Sequence, residues 1–153
     1  MSESNMNTKD NEQITPITQE GIDRLVAFLP LLSAPNARHG TYPDVVKNNN
    51  DNLLYIPSIL SETASEFVQA CYEEGFVQPF DWGEWSERHK DELNSAAFID
   101  GADLTTIVKL LTTHIRADRF CDGHLLSMLE DGSIAKILKR LEHIKSELSS
   151  RPE

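Results

Sequence analysis

Residues 104–123 read Leu104-Thr-Thr-Ile107-Val108-Lys-Leu-Leu111-Thr-Thr-His114-Ile115-Arg116-Ala-Asp118-Arg119-Phe120-Cys121-Asp-Gly123. Leu104, Ile107, Val108, Leu111 and Ile115 recur at intervals of three and four, the period of one buried helical face. The spacing predicts a helix from Leu104 to about Cys121, capped by Asp103 and ended at Gly123. A short helix then follows over about His124–Glu130. Ser133 is placed to cap a last helix whose stripe is Ile134, Ile137, Leu141, Ile144 and Leu148. That 3-4 spacing is also the seam of a coiled coil. Two heptads fit a core helix of this chain better than a homodimer seam, but both readings stand.

Working back toward the amino terminus, Phe80-Asp81-Trp82-Gly-Glu84-Trp85 has the form of a capping box with a hydrophobic staple. In it Asp81 caps, Glu84 reciprocates, and Phe80 meets Trp85 across the helix start. The helix is expected to fade near Asn94, with a turn over Asp100–Asp103. Upstream, Ser61 caps a helix with Ala64, Phe67, Val68 and Cys71 on its inner face, and Gly75 stands where a left-handed closing residue belongs. Thr18 caps a first helix carrying Ile22, Leu25, Val26 and Leu29, which Pro30 should end or kink. Between them, residues 33–52 are loop-like. Extended pieces around Tyr42 and over Leu53–Ile56 can pair as one short hairpin within 39–56. The expected fold is therefore mainly α: a single compact domain of five or six helices over 17–149. A disordered polar arm is expected over 1–16, and a tail over 150–153.

Composition narrows the function classes. The 153 residues carry a net charge of −11, distributed as −3 over residues 1–60, −8 over 61–100 and zero over 101–153. No basic stripe is available to neutralise phosphates, so nucleic acid is an unlikely partner. The acidic middle could meet a basic protein surface or mimic nucleic acid, although solubility alone accounts for it. No run approaches the roughly 20 apolar residues of a membrane span, and the first residues lack the basic and apolar regions of a signal peptide. Only Cys71 and Cys121 are present, far apart, which fits a reducing cytoplasm and no disulfide framework.

The chemistry-bearing residues concentrate in 112–132. On a continuous helix His114, Asp118 and Cys121 share a face, with His124 able to fold back toward them. Imidazole, carboxylate and thiolate could hold zinc or iron, but no standard ligand spacing supports that, and no metal or cofactor is assigned. A Cys121–histidine nucleophile would need an exposed, acidified thiol. A hydrogen-bonded His114–Asp118 pair at the core margin is the plainer reading. Arg116 and Arg119 occupy another side. They either meet the carboxylates of 61–100, anchoring the Trp82–Glu92 helix with Phe120 as a plug, or grip an anion. The candidate ligand-binding set is accordingly Arg116, Arg119, His114, Trp82 and Trp85. The tryptophans at i and i+3 could stack a base or sugar, although packing already explains their spacing.

Pro79-Phe80-Asp81-Trp82-x-x-Trp85, with Arg116-x-Asp118-Arg119-Phe120-x-x-Gly123 and the final Ile137-Leu-x-Arg-Leu141, resembles a family of small bacterial proteins known only as a domain of unknown function. The resemblance spans roughly residues 53–145. It implies a bacterial stand-alone domain with no known activity, cofactor or catalytic residue, and it assigns no role to any position. His114, Cys121 and His124 fall outside its pattern. Two functional expectations follow. One is a non-catalytic protein-interaction or regulatory module in the cytoplasm, with an unidentified protein partner or a homodimer through the C-terminal helix. The other is an anion-binding protein or small enzyme around Arg116, Arg119 and His114. Whether the chain is an enzyme is left open.

Overall fold

Ile134, Ile137, Leu138 and Leu141 have no solvent exposure and Ile144 almost none; these side chains line the inner face of the last helix, α8 (Ser133–Ser150). In the computed structural model, which describes residues 14–93 and 95–150, α8 is the axis of the fold. It touches α1 (Gln19–Val26), α2 (Leu29–Leu32), α5 (Ala96–Asp100), α6 (Leu104–Ala117) and α7 (His124–Glu130). Each isoleucine or leucine so buried contributes on the order of 1.5–3 kcal/mol. The 3-4 stripe predicted for this helix therefore closes the core of its own chain, leaving Leu148 as its exposed member.

The caps show why the remaining helices start and stop where they do. Gly21 N donates to Thr18 Oγ1 at 3.0 Å, opening α1. Pro30 sits in the first turn of α2, where its missing N–H costs nothing, so the chain bends there and continues for one more turn. Ser61 Oγ accepts from Ala64 N at the start of α3 (Glu62–Glu73). At its end Gly75 has φ +83°, Phe76 N donates to Cys71 O at 2.8 Å and Gly75 N to Tyr72 O at 3.4 Å. These are the two bonds of a Schellman closure. Phe76 and Cys71 are both fully buried, and burial pushes the Cys71 thiol far above its ordinary range. Asp81 Oδ1 accepts from Glu84 N at 3.1 Å at the start of α4 (Trp82–Arg88). Phe80 and Trp85 meet edge-on at 6.0 Å, so the staple forms. Glu84 reaches forward to Arg88 Nε at 2.8 Å rather than back to the cap.

Several elements differ from their predicted bounds. The helix begun at Trp82 ends at Arg88, and Ser95 caps a separate five-residue α5 through Phe98 N. With α2 this brings the helical segments among the described residues to eight. Asp131, not Ser133, accepts at the start of α8, from Ser133 N at 2.8 Å, with Gly132 at φ +88° making the turn. Most consequentially, α6 ends at Ala117 rather than Cys121. Of the expected polar arm, residues 1–13 lie outside the described residues. Thr15 is tied to the body by a reciprocal pair, its N to Gln78 Oε1 and Gln78 Nε2 to its carbonyl.

The hairpin is present and longer than expected. β2 (Asp44–Lys47) pairs antiparallel with β3 (Leu53–Ile56), Val45 opposite Tyr55 and Val46 opposite Leu54. Beyond it β1 (Gly40–Thr41) pairs with β4 (Ile59–Leu60). Pro43 and Pro57 lie in the gaps between the two ladders; lacking an N–H, proline interrupts pairing at such points. Gly40 is required, because a Cβ there would lie 2.2 Å from the Ile59 carbonyl. The polar run Asn48–Asn52 makes the tip, with Asn48 Oδ1 accepting from both Asn50 N and Asn52 N.

Candidate functional site

Gly123, at φ +93°, lets the chain reverse after α6 and lay the start of α7 against the end of α6. The reversal brings two histidines together. His114 Nδ1 lies 3.1 Å from His124 Nε2, and the rings are 5.2 Å apart. One nitrogen must donate and the other accept, so the contact survives the neutral pair and one added proton, but not two. Burial, and next the neighbouring His124, pull His114 down to about 4. Burial also lowers His124, against the opposing pull of Asp118 and Asp131. Near neutral pH the pair is therefore uncharged. The predicted His114–Asp118 bond does not form, because Asp118 Oδ1 accepts from Leu125 N at 3.0 Å and helps fix the turn into α7.

Beside this pair a cleft of about 250 Å³ opens between α4 and α6, lined by Trp82, Ser86, Glu87, Lys90, Leu93, Thr113, His114, Ala117 and His124. Two of its lining residues are nearly inaccessible, Thr113 at 4% and His114 at 3% exposure. Among the described residues neither Thr113 Oγ1 nor His114 Nε2 has a hydrogen-bond partner. A buried polar group left so costs roughly 1–3 kcal/mol. At the mouth Lys90 and Glu87 pair with each other at 3.1 Å.

The predicted site residues separate. His114 and Trp82 come together in the cleft. Trp85 does not join them: it is buried beneath α4 against Phe80, His89 and Phe98. Arg116 lies over the Tyr72 ring at 5.9 Å, and Arg119 is exposed in the turn after α6. Neither arginine meets a carboxylate among the described residues. The acidic middle finds its cations elsewhere, with Arg24 bridging Glu73 and Glu74 and Arg88 and Lys90 pairing within α4 and its exit. Phe120, expected as a plug, is 81% exposed and meets the Trp82 ring at 5.9 Å between centroids. The positions of Arg119 and Phe120 follow from α6 ending at Ala117, since Arg119, Phe120 and Cys121 then leave its helical faces. Among the described residues no group of three or more His, Cys, Asp or Glu side chains is placed to hold a metal ion. What the sequence did signal was His124 folding back. The partnerless Thr113 gave no signal, because a threonine inside a helix ordinarily bonds its own backbone.

The hairpin is the second unusual surface. Tyr42, Val45, Val46, Leu53, Leu54, Tyr55, Ile56 and Ile59 are all exposed, Leu53 at 69%. Every residue of β2 and β3 is exposed, so neither face packs on the body. The ribbon is held at one end instead. Asp122 accepts from Tyr55 Oη and from both Ser58 N and Ser58 Oγ, bonds that lower its carboxyl and raise the Tyr55 phenol.

A family model covers residues 17–147, and it is that of a family of unknown function, DUF6508. The chain belongs to this family. No curated protein and no solved structure matches it.

Proposed function

We propose that this DUF6508 protein is a non-catalytic protein-interaction module of the bacterial cytoplasm whose docking element is the hairpin of residues 40–60. The observation that carries the reading is the eight exposed large apolar side chains on that ribbon. A two-stranded hairpin is at best marginally stable alone in water, and soluble surfaces rarely gather apolar side chains so densely unless something covers them. Only Asp44, Lys47 and Asp51 are charged between 40 and 60, in a chain of net charge −11. The ribbon thus offers a nearly neutral apolar surface on an acidic body. Anchoring at Asp122 and the loose fit of the strands suit an element that packs fully only against a partner. Among the described residues no helix is long and apolar enough to cross a membrane.

The test replaces Leu53 and Ile59 by serine, two exposed positions with little packing to lose. Circular dichroism and melting temperature should stay unchanged. A complex formed by the natural chain in its host, followed by cross-linking and light scattering, should be lost. Retention of the same complex by the double variant would sink the proposal, as would a turnover found by substrate screening at the ordinary rates of an enzyme.

A further inference from the structure

The exposed hairpin and the exposed Phe120 are neighbours. A Cβ at Gly123 would lie 3.1 Å from Pro43 Cδ and 3.6 Å from Tyr42 Cδ1, and Asp122 holds both Tyr55 and Ser58. The base of the hairpin therefore rests on the turn that carries Arg119 and Phe120. Its tip, Asn48–Asn52, lies about 20 Å further out at roughly 3.3 Å per residue. Resting on the reading of the hairpin as docking element, we infer that its partner is a second copy of this chain. The two hairpins lie antiparallel about a two-fold axis, each tip against the other's base at Arg119 and Phe120.

The chain offers no cover of its own. Every residue of β2 and β3 is exposed, and outside the described residues the 153 hold only Met1 and Met6 as large apolar side chains. Charge then selects both the occupant and its direction. Asp51 is the one charge of the tip, while Arg119 is exposed at the base and meets no carboxylate among the described residues. Along the strands, Asp44 stands near the base and Lys47 near the tip. Antiparallel hairpins bring Asp51 to the other copy's Arg119 and Asp44 level with its Lys47, each twice by symmetry. A parallel arrangement would set like charges side by side. Area is sufficient: side chains 39% to 69% exposed leave on the order of 100 Å² each in water, so eight approach the roughly 800 Å² per partner of a standard interface. The acidic bodies sit at opposite ends of the paired hairpins, about 20 Å apart. That is twice the Debye length of about 10 Å at 0.1 M salt, so their repulsion is largely screened.

The experiment uses the purified full chain. Sedimentation equilibrium at about 100 μM should give twice the chain mass, and Leu53→Ser with Ile59→Ser should return it to a monomer. Melting in dilute solution, where the hairpins are free, should not change in that double variant. Asn50→Cys places a thiol at the tip, to be oxidised against the exposed Cys121 beside the base. Its own Cys121 lies about 20 Å away, beyond the ~7 Å that a disulfide spans between Cα atoms, so only the other copy's thiol is in reach. Mild oxidation should yield a covalent dimer, and adding Cys121→Ser should remove it. Arg119→Ala should weaken association about two- to fivefold, as loss of an exposed pair does. A monomer at that concentration overturns the inference. So does a dimer that survives the double serine variant, one that Asn50→Cys fails to link, or a linkage that persists without Cys121 and so joins tip to tip. The docking role of the hairpin stands apart from these results: it survives a monomer if the host complex is still lost with Leu53→Ser and Ile59→Ser, and falls if that complex is kept.

Discussion

The hairpin and the α4–α6 cleft break the usual partition of a protein in opposite senses. On the hairpin, apolar side chains stand in water; in the cleft, polar atoms are buried without partners. The two arrangements are costly for the same reason, an unmatched environment, but they differ in what would relieve them. Eight apolar side chains on a ribbon require an extended surface to cover them. One hydroxyl and one imidazole nitrogen beside a cleft of about 250 Å³ are sealed from solvent as well as from partners. The rest of the chain, with its stapled α4, Schellman-closed α3 and fully buried α8 stripe, follows ordinary rules. The two exceptions therefore stand out against a consistent background.

The largest expected effect tests whether the hairpin truly lies outside the core. Phe67→Ala should cost about 3–5 kcal/mol in urea unfolding, as a cavity in a closed core does. Leu53→Ala should cost less than about 0.5 kcal/mol, as a surface change does. Equal costs would mean that the hairpin packs on the body, and the contrast would disappear.

Next in size is the pH dependence of the cleft. His114 is held neutral below its ordinary 6.5, down to about 4, so the unfolded chain takes up its proton first. Its contribution is complete above pH 6.5 and lost as pH falls toward 4, by about 3 kcal/mol in all. His124, lowered in the same direction, adds to the loss, while Asp118 and Asp131 pull against it. Chemical denaturation between pH 7 and 5 should show the decline, and His114→Phe should flatten it. A profile that stays the same with phenylalanine would place the titrating group elsewhere.

A smaller and local effect concerns the hairpin anchor. Asp122→Ala should speed amide exchange at Val46 and Leu54 while leaving α8 protected. Because the Asp122 carboxyl is lowered from 3.8, the natural anchor should persist at pH 4 and fail only as pH falls through that lowered value. The smallest effect separates the arginines. Arg116→Ala should lose at most the contact with Tyr72, about 0.5–1 kcal/mol, and Arg119→Ala should stay within about 0.5 kcal/mol. A much larger loss at Arg119 would revive its role as an anchor.

The amino-acid sequence by itself determined six of the helical segments, α2 and α5 excepted, and most of their caps. The reason is local: Thr18, Ser61, Asp81 and Asp103 each bond an amide three residues ahead, and Gly75 supplies a left-handed closure. Apolar periodicity likewise marked α8, since a 3-4 stripe must be buried somewhere. Which surface buries it is not a local property, and only the packing of α1, α2, α5, α6 and α7 around α8 decided that. The site divided the same way. A reversal at Gly123 was legible, and so was the approach of His124 to His114. The end of α6 at Ala117 was not, because the Asp118–Leu125 bond beside it joins residues seven apart and exists only once α7 has folded back. With α6 ending there, Arg119, Phe120 and Cys121 lie off the helix, and His124 of α7 joins His114 at the cleft. Spacing along a chain can place side chains on a common face; whether a partner is waiting there depends on what the rest of the chain brings to it.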